Sequence, residues 1–275
     1  MRFFRKVDNR LECLLCHNKC LFANGEVGLC RVNRAEDGSI INDAYKKPVS
    51  IAVDPIEKKP LYHFYPSSKT LSFGTFGCNY RCPFCQNWSI SQRGYSGEEK
   101  ASIWANQIVE EARKSGCKSI SYTYNEPTVF YPFASVVAEK AKRTGFKNVF
   151  VTNGSFSKEV LKDMSGKADA MNIDLKGFNK KKYRDYLGGD LQKVLNNTIQ
   201  AKKVGIWVEI TTLIVPNFNS SEAEIKKIAN FIYNKLGSQT PWHLSVFFPN
   251  YLFQSGKPTK LTTLKTAEYI AKVVV

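Results

Sequence analysis

Apolar and polar positions follow two different periods along most of this chain. From residue 71 onward, short runs of consecutive apolar residues, typical of strands buried on both faces, alternate with longer stretches in which apolar residues recur every three to four positions, as in helices. The predicted strands cover residues 71–77, 119–124, 148–152, 168–175, 206–215 and 243–248. The predicted helices cover residues 102–115, 130–144, 158–166, 191–204, 221–235 and 261–274. Ser221 and Glu224 predict a capping box at the start of the fifth helix.

Repeated strand–helix units predict an α/β fold with a parallel sheet and right-handed crossovers. Six units are two fewer than a closed eight-stranded barrel needs, so we expect an open, partial (β/α)6 TIM-type barrel. Residues 1–70 contain few long periodic runs and carry four clustered cysteines. The chain is therefore predicted to divide into a cysteine-rich N-terminal metal-binding segment, residues 1–70, and the partial barrel, residues 71–275.

Cys78, Cys82 and Cys85 form a C-x3-C-x2-C motif directly after the first predicted strand, which ends at Gly77. Three thiolates this close can hold three irons of a [4Fe–4S] cluster and leave the fourth iron open to a ligand. A structural zinc site fills all four of its coordination positions. The motif therefore predicts a reactive cluster, and the alternatives are part of a zinc site or three unrelated reduced cysteines.

A second group of cysteines has the spacing C-x2-C-x3-C-x9-C and consists of Cys13, Cys16, Cys20 and Cys30. Four thiolates fit a tetrahedral zinc site, which supplies much of the folding free energy of a small domain. They equally fit a second, auxiliary iron–sulfur cluster. We predict a separate metal site here and favour zinc, because a closed four-sulfur site is the usual structural arrangement.

Polar side chains recur where the predicted strands end. Ligands in parallel α/β proteins gather at the carboxyl ends of strands, so these residues are candidates for a binding site. They are Asn87, Asn125, Glu126, Thr152, Asn153, Asn172, Asp174, Lys176, Glu209, Thr211 and Thr212. Asp174 and Lys176 are two positions apart and share one face of a buried strand, which is costly unless that face lines a cavity. The alternative is an internal salt-bridge network without a ligand.

The formal net charge is +16, with 40 lysines and arginines against 24 acidic residues among 275. Such a charge fits a nucleic-acid partner. The lysines are scattered, however, and no basic stripe interleaved with aromatic residues appears, so a solvated lysine-rich surface is favoured. Eight cysteines in short spacings indicate metal ligands in a reducing, cytoplasmic setting. No signal peptide and no membrane span are predicted.

Taken together, these motifs resemble those of a known family. The chain is similar to the radical S-adenosylmethionine (radical SAM) superfamily, to its pyruvate formate-lyase activating enzyme-like branch, and within that branch to the AmmeMemoRadiSam system radical SAM enzyme. The similarity spans nearly the whole chain and is carried by residues 13–30, 53–64, 77–92, 122–128, 151–154, 172–177 and 241–243. The cysteine motif points to the superfamily, and residues 53–64 point to the branch.

The resemblance implies that Cys78, Cys82 and Cys85 ligate a [4Fe–4S] cluster whose open iron binds SAM. The residues that it assigns to SAM are Phe84, Asn87, Asn125, Glu126, Thr152, Asn153, Asp174 and Lys176. Phe84 would meet the adenine through its backbone, and Glu126 would pair with the ammonium. A reduced cluster would cleave SAM to a 5′-deoxyadenosyl radical that abstracts hydrogen from a protein or small-molecule substrate, as in an activating enzyme of a glycyl-radical enzyme.

The implied partners are an electron donor such as ferredoxin or flavodoxin and the substrate. One alternative is a radical SAM enzyme that modifies tRNA or another RNA, and another is a non-catalytic zinc-knuckle protein that binds nucleic acid. The chain departs from the family pattern at Val151, where activating enzymes have an aspartate at a cation site, and at Val246 and Phe248, where the branch has arginine and histidine. The final helix reaches Val275, where members of the branch continue, so we expect a shortened or naturally short member.

Overall fold

The N-terminal segment forms two small antiparallel sheets. In this computed structural model, which describes residues 3–97, 102–254 and 256–274, the first sheet contains β1 (Phe4–Val7), β2 (Arg10–Cys13) and β3 (Leu21–Phe22). The second contains β4 (Asn33–Glu36) and β5 (Ser39–Asn42). These strands were not predicted, because two to four residues are too few for an alternating pattern to be recognised.

A seven-stranded sheet forms the centre of the molecule. Its strands are β6 (Ser50–Pro55), β7 (Lys69–Gly74), β8 (Ser119–Tyr122), β9 (Lys147–Thr152), β10 (Ala170–Asp174), β11 (Trp207–Ile214) and β12 (Trp242–Val246). They follow one another in chain order, with β6 and β12 at the two edges. Strands β7 to β12 are parallel, and β6 is antiparallel to β7. The predicted open, partial barrel of six parallel strands is thus confirmed.

The predicted division at residue 70 falls inside β7, directly after the connection from β6. These two strands pair along their full length, from Ser50 opposite Gly74 to Pro55 opposite Lys69. The first segment therefore contributes an edge strand to the central sheet. Its apolar side chains at Ile51 and Val53 are more than one-third exposed, which is why the segment lacks the continuous apolar run of a buried strand. The division into two domains remains a prediction.

Helices connect the parallel strands. They are α1 (Trp88–Ser91), α2 (Ala105–Lys114), α3 (Tyr131–Arg143), α4 (Lys158–Met164), α5 (Lys180–Lys182), α6 (Leu191–Lys203), α7 (Glu222–Phe231) and α8 (Leu261–Val274). The six predicted helices are all present within a few residues of their expected ends. Ser221 caps α7 as predicted, by accepting the Glu224 N–H at 3.3 Å, but the Glu224 carboxylate accepts the Phe178 N–H at 2.7 Å.

Alternate residues of the parallel strands face either the helices or the inside of the barrel. On β10, Met171 and Ile173 belong to the main hydrophobic core, whereas Asn172 and Asp174 line a cavity. Aromatic rings reinforce the helix-facing layer, and Tyr122 stacks on Phe150 with ring centroids 4.3 Å apart. The polar strand residues seen in the sequence therefore face inward, which explains how buried strands accommodate them.

The segment between β6 and β7 closes the barrel at the amino ends of the strands. Ile56 and Leu61 pack against Val149 and Ala170, which are fully buried. Farther along the same segment, the backbone N–H groups of residues 62 and 63 each donate to the buried Glu209 carboxylate at 3.0 Å. This segment therefore forms the floor of the barrel.

Glu209 is the anchor of that floor, and its other contacts are to protein as well. His243 Nε2 lies 2.6 Å from its carboxylate, and Trp207 Nε1 donates to it at 2.9 Å. Burial opposes ionisation of this carboxyl, but these hydrogen bonds hold its pKa below the ordinary value. Glu209 was a candidate for ligand binding at a strand end, but in the structure its carboxylate binds other parts of the protein instead.

None of the helices within residues 3–97, 102–254 and 256–274 has the length and apolar character of a membrane span.

Candidate active site

A cavity of about 680 Å³ opens between the inward-facing strand residues and the loop that follows β7. The three motif cysteines and all the residues assigned to SAM line it, namely Cys78, Cys82, Cys85, Phe84, Asn87, Asn125, Glu126, Thr152, Asn153, Asp174 and Lys176, whereas the strand-end candidates Glu209 and Thr212 do not. The parallel register explains this convergence, because the carboxyl ends of neighbouring strands meet at one edge of the sheet. The individual roles given to these residues remain predictions.

The three cysteines of the loop line the cavity together. Burial raises the pKa of Cys78 well above its ordinary value, and the nearby Glu126 and Cys82 act in the same direction. Burial likewise raises the pKa of Cys82 to about 12. Thiols in such surroundings ionise only when a cation compensates the charge, which fits metal ligands.

Within the described residues, no three His, Cys, Asp or Glu side chains stand in the arrangement that a single metal ion requires. A four-iron cluster makes a different demand, because each of its thiolates binds a separate iron and the sulfurs are farther apart. The loop of Cys78, Cys82 and Cys85 therefore remains suited to a cluster.

Asn125 supports this cysteine loop from the end of β8. Its Nδ2 donates to Phe76 O at 3.1 Å and to Gly77 O at 2.8 Å, and its Oδ1 accepts the Thr75 N–H at 3.0 Å. These bonds fix the backbone immediately before Cys78. Asn125 was predicted to bind the cofactor, and its observed side-chain contacts are to the protein.

Glu126 is buried and holds most of its carboxylate in protein contacts. Its Oε1 accepts from Thr128 N and Oγ1 and from Thr152 Oγ1, whereas Oε2, within the described part of the chain, accepts the Asn153 N–H alone, at 2.7 Å. Burial raises the pKa of this carboxyl despite the hydrogen bonds, which lower it. A carboxylate offers about four acceptor positions, so Oε2 retains room for one more donor such as an ammonium group.

Two asparagines link the walls of the cavity to the cysteine loop. Asn153 Nδ2 donates to Asn79 Oδ1 at 2.9 Å, and Asn79 Nδ2 donates to Ser155 Oγ at 2.7 Å. Asn87, after the last cysteine, donates to Tyr124 O at 2.7 Å. Asn79 was missed by the sequence analysis, although its place between two predicted ligands was a signal.

Asp174 and Lys176 form an ion pair at the end of β10. Burial disfavours the charge of Lys176, but Asp174 and Cys82 raise its pKa above the ordinary value. Asp174 Oδ1 is buried and has no hydrogen-bond partner among the described residues. A buried polar atom without a partner is unfavourable, and at the wall of a cavity it indicates a position that a ligand would fill. SAM fits this position, because its ribose hydroxyls and its ammonium group are hydrogen-bond donors.

The N-terminal cysteine segment packs directly on the cysteine loop. His17 N donates to Ser155 O at 2.9 Å, and Cys16 forms a backbone bridge with Phe156. Gly77 has a φ of +78°, and a Cβ at this position would lie 2.4 Å from Cys30 O. The two cysteine groups are therefore adjacent in space, which their separation in sequence did not indicate.

The four N-terminal thiols also approach one another. Burial raises the pKa of Cys13, and Cys16, Cys30 and Cys20 raise it further through unfavourable electrostatic interaction. Burial likewise raises the pKa of Cys16 to about 12. The approach of these thiols fits a metal site, but a single zinc ion requires their side chains to turn from the observed arrangement.

We expect Gly77→Ala to be strongly destabilising. A left-handed backbone conformation costs a non-glycine residue about 1–2 kcal/mol. The contact of the added Cβ with the Cys30 backbone increases this cost, because the two backbone segments cannot move independently. Gly145→Ala is the matched control, since Gly145 has a φ of +86° but nothing within 4 Å of the added Cβ. Urea denaturation should show at least about 2 kcal/mol greater loss for Gly77→Ala. Equal losses would contradict the close packing of the two cysteine segments.

Comparisons with known proteins identify the family to which this chain belongs. Residues 73–232, more than half of the chain, match the model of the radical SAM superfamily. The chain is 42% identical over 270 residues to "Uncharacterized protein MJ0808" of Methanocaldococcus jannaschii, covering 98% of this chain and 80% of that protein. It is 28% identical over 214 residues to "Putative glycyl-radical enzyme activating enzyme MJ1632" of the same organism, covering 74% of this chain and 78% of that protein.

A solved structure agrees with the fold. The crystal structure of Streptococcus suis SuiB bound to S-adenosylmethionine is similar with a TM-score of 0.58 at 16% identity, over 73% of this chain and 46% of that one. The region that matches the superfamily model, residues 73–232, runs from the end of β7 to the end of α7 and includes the cysteine loop and Asp174. On the family match and on the cavity that gathers these residues, the chain belongs to the radical SAM superfamily.

Proposed function

We propose that this protein reductively cleaves SAM and uses the resulting radical to abstract hydrogen from a substrate. The observation that carries the proposal is the cavity itself, which is lined by Cys78, Cys82 and Cys85 and also by Asp174, whose buried Oδ1 has no hydrogen-bond partner among the described residues. When bound, a reduced [4Fe–4S] cluster supplies one electron to the sulfonium of SAM, and the molecule breaks into methionine and a 5′-deoxyadenosyl radical. The protein's own contribution is to hold, orient and desolvate the reacting groups.

The polar groups of SAM correspond to side chains in the cavity. Glu126 Oε2 has a free acceptor position for the ammonium, and the carboxylate of SAM matches the ammonium of Lys176. Asp174 Oδ1 would accept from the ribose diol. Phe84 is fully packed in the loop between Cys82 and Cys85, where its backbone would meet the adenine.

The substrate and partners are finer proposals. The similarity to glycyl-radical activating enzymes supports hydrogen abstraction from a glycine of a partner protein, an oxidoreductase activity of the activating type. A small molecule is the other substrate class. Ferredoxin or flavodoxin would supply the electron, and the cysteine-rich, reduced chain would work in the cytoplasm. Membership of the AmmeMemoRadiSam branch remains a proposal that rests on residues 53–64.

The test is anaerobic reconstitution with iron and sulfide, followed by reduction with dithionite in the presence of SAM. We expect a brown protein that converts SAM to 5′-deoxyadenosine and methionine, measured by liquid chromatography. Addition of a candidate glycyl-radical enzyme should produce a protein radical visible by electron paramagnetic resonance if the activating proposal holds. A protein that binds the cluster but forms no 5′-deoxyadenosine would overturn the proposed reaction.

RNA modification is a second candidate because of the net charge of +16. Contacts with phosphates would make tRNA binding fall steeply with salt concentration. We expect a shallow salt dependence if the lysines only solvate the surface. A colourless protein that holds only zinc after anaerobic reconstitution and still binds RNA would instead support a non-catalytic zinc-knuckle protein.

The N-terminal cysteines are proposed to hold their own metal. We expect a variant with Cys78, Cys82 and Cys85 all replaced by alanine to retain metal at Cys13, Cys16, Cys20 and Cys30. About one zinc per chain in elemental analysis would identify a closed zinc site. Iron together with inorganic sulfide would identify an auxiliary cluster, and a metal-free variant would reject the site.

A further inference from the structure

We propose that the floor of the cavity binds the anionic group, a carboxylate or phosphate, of a small-molecule substrate. The site consists of Lys58 and Lys59 of the floor segment, Asp54 of β6 and the side chain of Tyr124, and none of these residues is among those assigned to the cluster and SAM. Anion binding itself requires no radical chemistry. Only the identification of the anion as the substrate rests on the proposed function.

These four side chains form one connected group that lines the cavity. Lys59 Nζ lies 2.8 Å from Asp54 Oδ2, and the two side chains are only 3% and 8% exposed. The Tyr124 hydroxyl donates to the same Asp54 oxygen at 3.0 Å. Lys59 Nζ also stands 4.7 Å from the centroid of the Tyr124 ring. This ion pair is shielded from bulk solvent, but it lines a cavity instead of being enclosed by apolar side chains. It is therefore positioned to contact a ligand.

The floor lies at the far end of the barrel from the cysteines. Asp54 pairs with Thr70, which is four residues before Gly74 at the carboxyl end of β7. A strand rises about 3.3 Å per residue, so the level of Asp54 is about 13 Å below the end of the strand, where the cysteine loop begins. Asn172 Nδ2 donates to Pro60 O at 2.8 Å and joins the floor to β10. A substrate bound at the floor would therefore contact polar groups that lie beneath the residues assigned to SAM.

The charges of the floor are unequal. Lys58 and Lys59 both contact Asp54, so two ammonium groups share one carboxylate. Lys58 is 68% exposed and 3.2 Å from Asp54, which leaves its charge free to pair with an incoming anion. At the other end of the cavity Asp174 and Lys176 already balance each other. The surplus positive charge favours an anionic ligand, and a glycyl residue of a partner protein carries no such charge.

Tyr124 extends its side chain toward the floor from a constrained backbone two residues after the carboxyl end of β8. Its φ is +68°, an uncommon conformation for a large side chain. A Cβ at Gly74 would lie 2.5 Å from Thr123 O, so the ends of β7 and β8 approach unusually closely at this point. Such conformations persist where the surrounding structure enforces them, and they concentrate at ligand sites. The Tyr124 hydroxyl is thereby fixed beside Asp54.

The experiment titrates the cluster-loaded protein, saturated with SAM so that Lys176 is occupied, with acetate, methyl phosphate and neutral acetamide by calorimetry. We expect acetate or methyl phosphate to bind and acetamide not to bind, and the tighter anion identifies the source of the negative charge. Lys58→Met and Lys59→Met should each weaken the anion at least tenfold. Asp54→Asn should tighten it severalfold, because it removes the competing carboxylate.

Lys167→Met is the matched control. Lys167 pairs with Asp163 at 2.8 Å with side chains 14% and 18% exposed, but neither residue lines the cavity. Anion affinity should be unchanged in this variant. Because Lys58 is exposed, its variant should fold even if Lys59→Met does not. Anion affinities within twofold of the parent in both lysine variants would overturn the site and leave a structural ion pair.

The same protein separates this inference from the proposed function. If the parent binds the anion through Lys58 but forms no 5′-deoxyadenosine with SAM and dithionite, the reaction is wrong and the anion site is supported. If the parent cleaves SAM but binds neither acetate nor methyl phosphate, the reaction is supported and the anion site is wrong.

Discussion

Replacement of Cys78, Cys82 and Cys85 by alanine is expected to abolish SAM cleavage. The cluster has no other protein ligands in this loop, and without the cluster the sulfonium has no one-electron donor. Absorbance in the visible range, iron content and 5′-deoxyadenosine formation should all fall to background, apart from iron held by the N-terminal cysteines. Each single cysteine variant should give the same loss of activity, because an incompletely ligated cluster is unstable.

The chain supplies a control thiol for this experiment. Cys117 is buried two residues before β8, and it does not line the cavity. Cys117→Ala should therefore leave iron content and activity at the level of the parent. Iron bound in unchanged amount by the triple variant would show that the C-x3-C-x2-C loop is not the cluster site.

The second large effect is expected from Asp174→Ala, which should weaken SAM binding by about ten- to a hundredfold. Loss of one hydrogen bond to a charged group costs about 1.5–3 kcal/mol, which corresponds to this range of affinity. The cluster should survive, because Asp174 is not a ligand in the proposed site. Anaerobic equilibrium dialysis with labelled SAM on the folded, cluster-loaded protein measures the change.

Asp163→Ala separates this effect from the loss of an ion pair. Asp163 pairs with Lys167 on the outside of the barrel, much as Asp174 pairs with Lys176 inside it. Both variants should lose thermal stability, but only Asp174→Ala should lose SAM affinity. If SAM affinity stayed within about twofold of the parent in Asp174→Ala, strand β10 would be removed from the site, and the pair would be structural.

Several features of the fold could be predicted from the sequence because they depend on local patterns. The apolar runs of β7 to β11 and the periodic faces of α2, α3 and α6 appear within a few residues of their expected positions. The edge strand β6 could not be found in this way. Its side chains alternate between exposed positions and half-buried or, at Asp54, buried positions, and only its pairing with β7 shows that it belongs to the sheet.

The residues of the candidate site also differ in how far their roles could be predicted from the sequence. Asp174 and Lys176 could be selected because charges inside a buried strand require compensation, and they line the cavity. Glu209 met the same criterion but binds the floor segment through two backbone N–H groups. A sequence shows that a buried carboxylate needs donors, but it does not show whether those donors belong to a ligand or to the chain itself.

The sequence by itself determined the superfamily, the order of strands and helices and the cysteine loop, because each depends on residues that are close together in the chain. Only the tertiary structure decided that Cys30 packs against Gly77 and that Asp54, Lys58 and Lys59 meet Tyr124 on the floor of the cavity. The contacts of Cys30 with Gly77 and of Asp54 and Lys59 with Tyr124 join residues about 50 to 70 positions apart. They form because the antiparallel pairing of β6 with β7 brings the N-terminal segment under and beside the barrel. No local spacing encodes such a contact, since it depends on the free energy of packing the whole sheet.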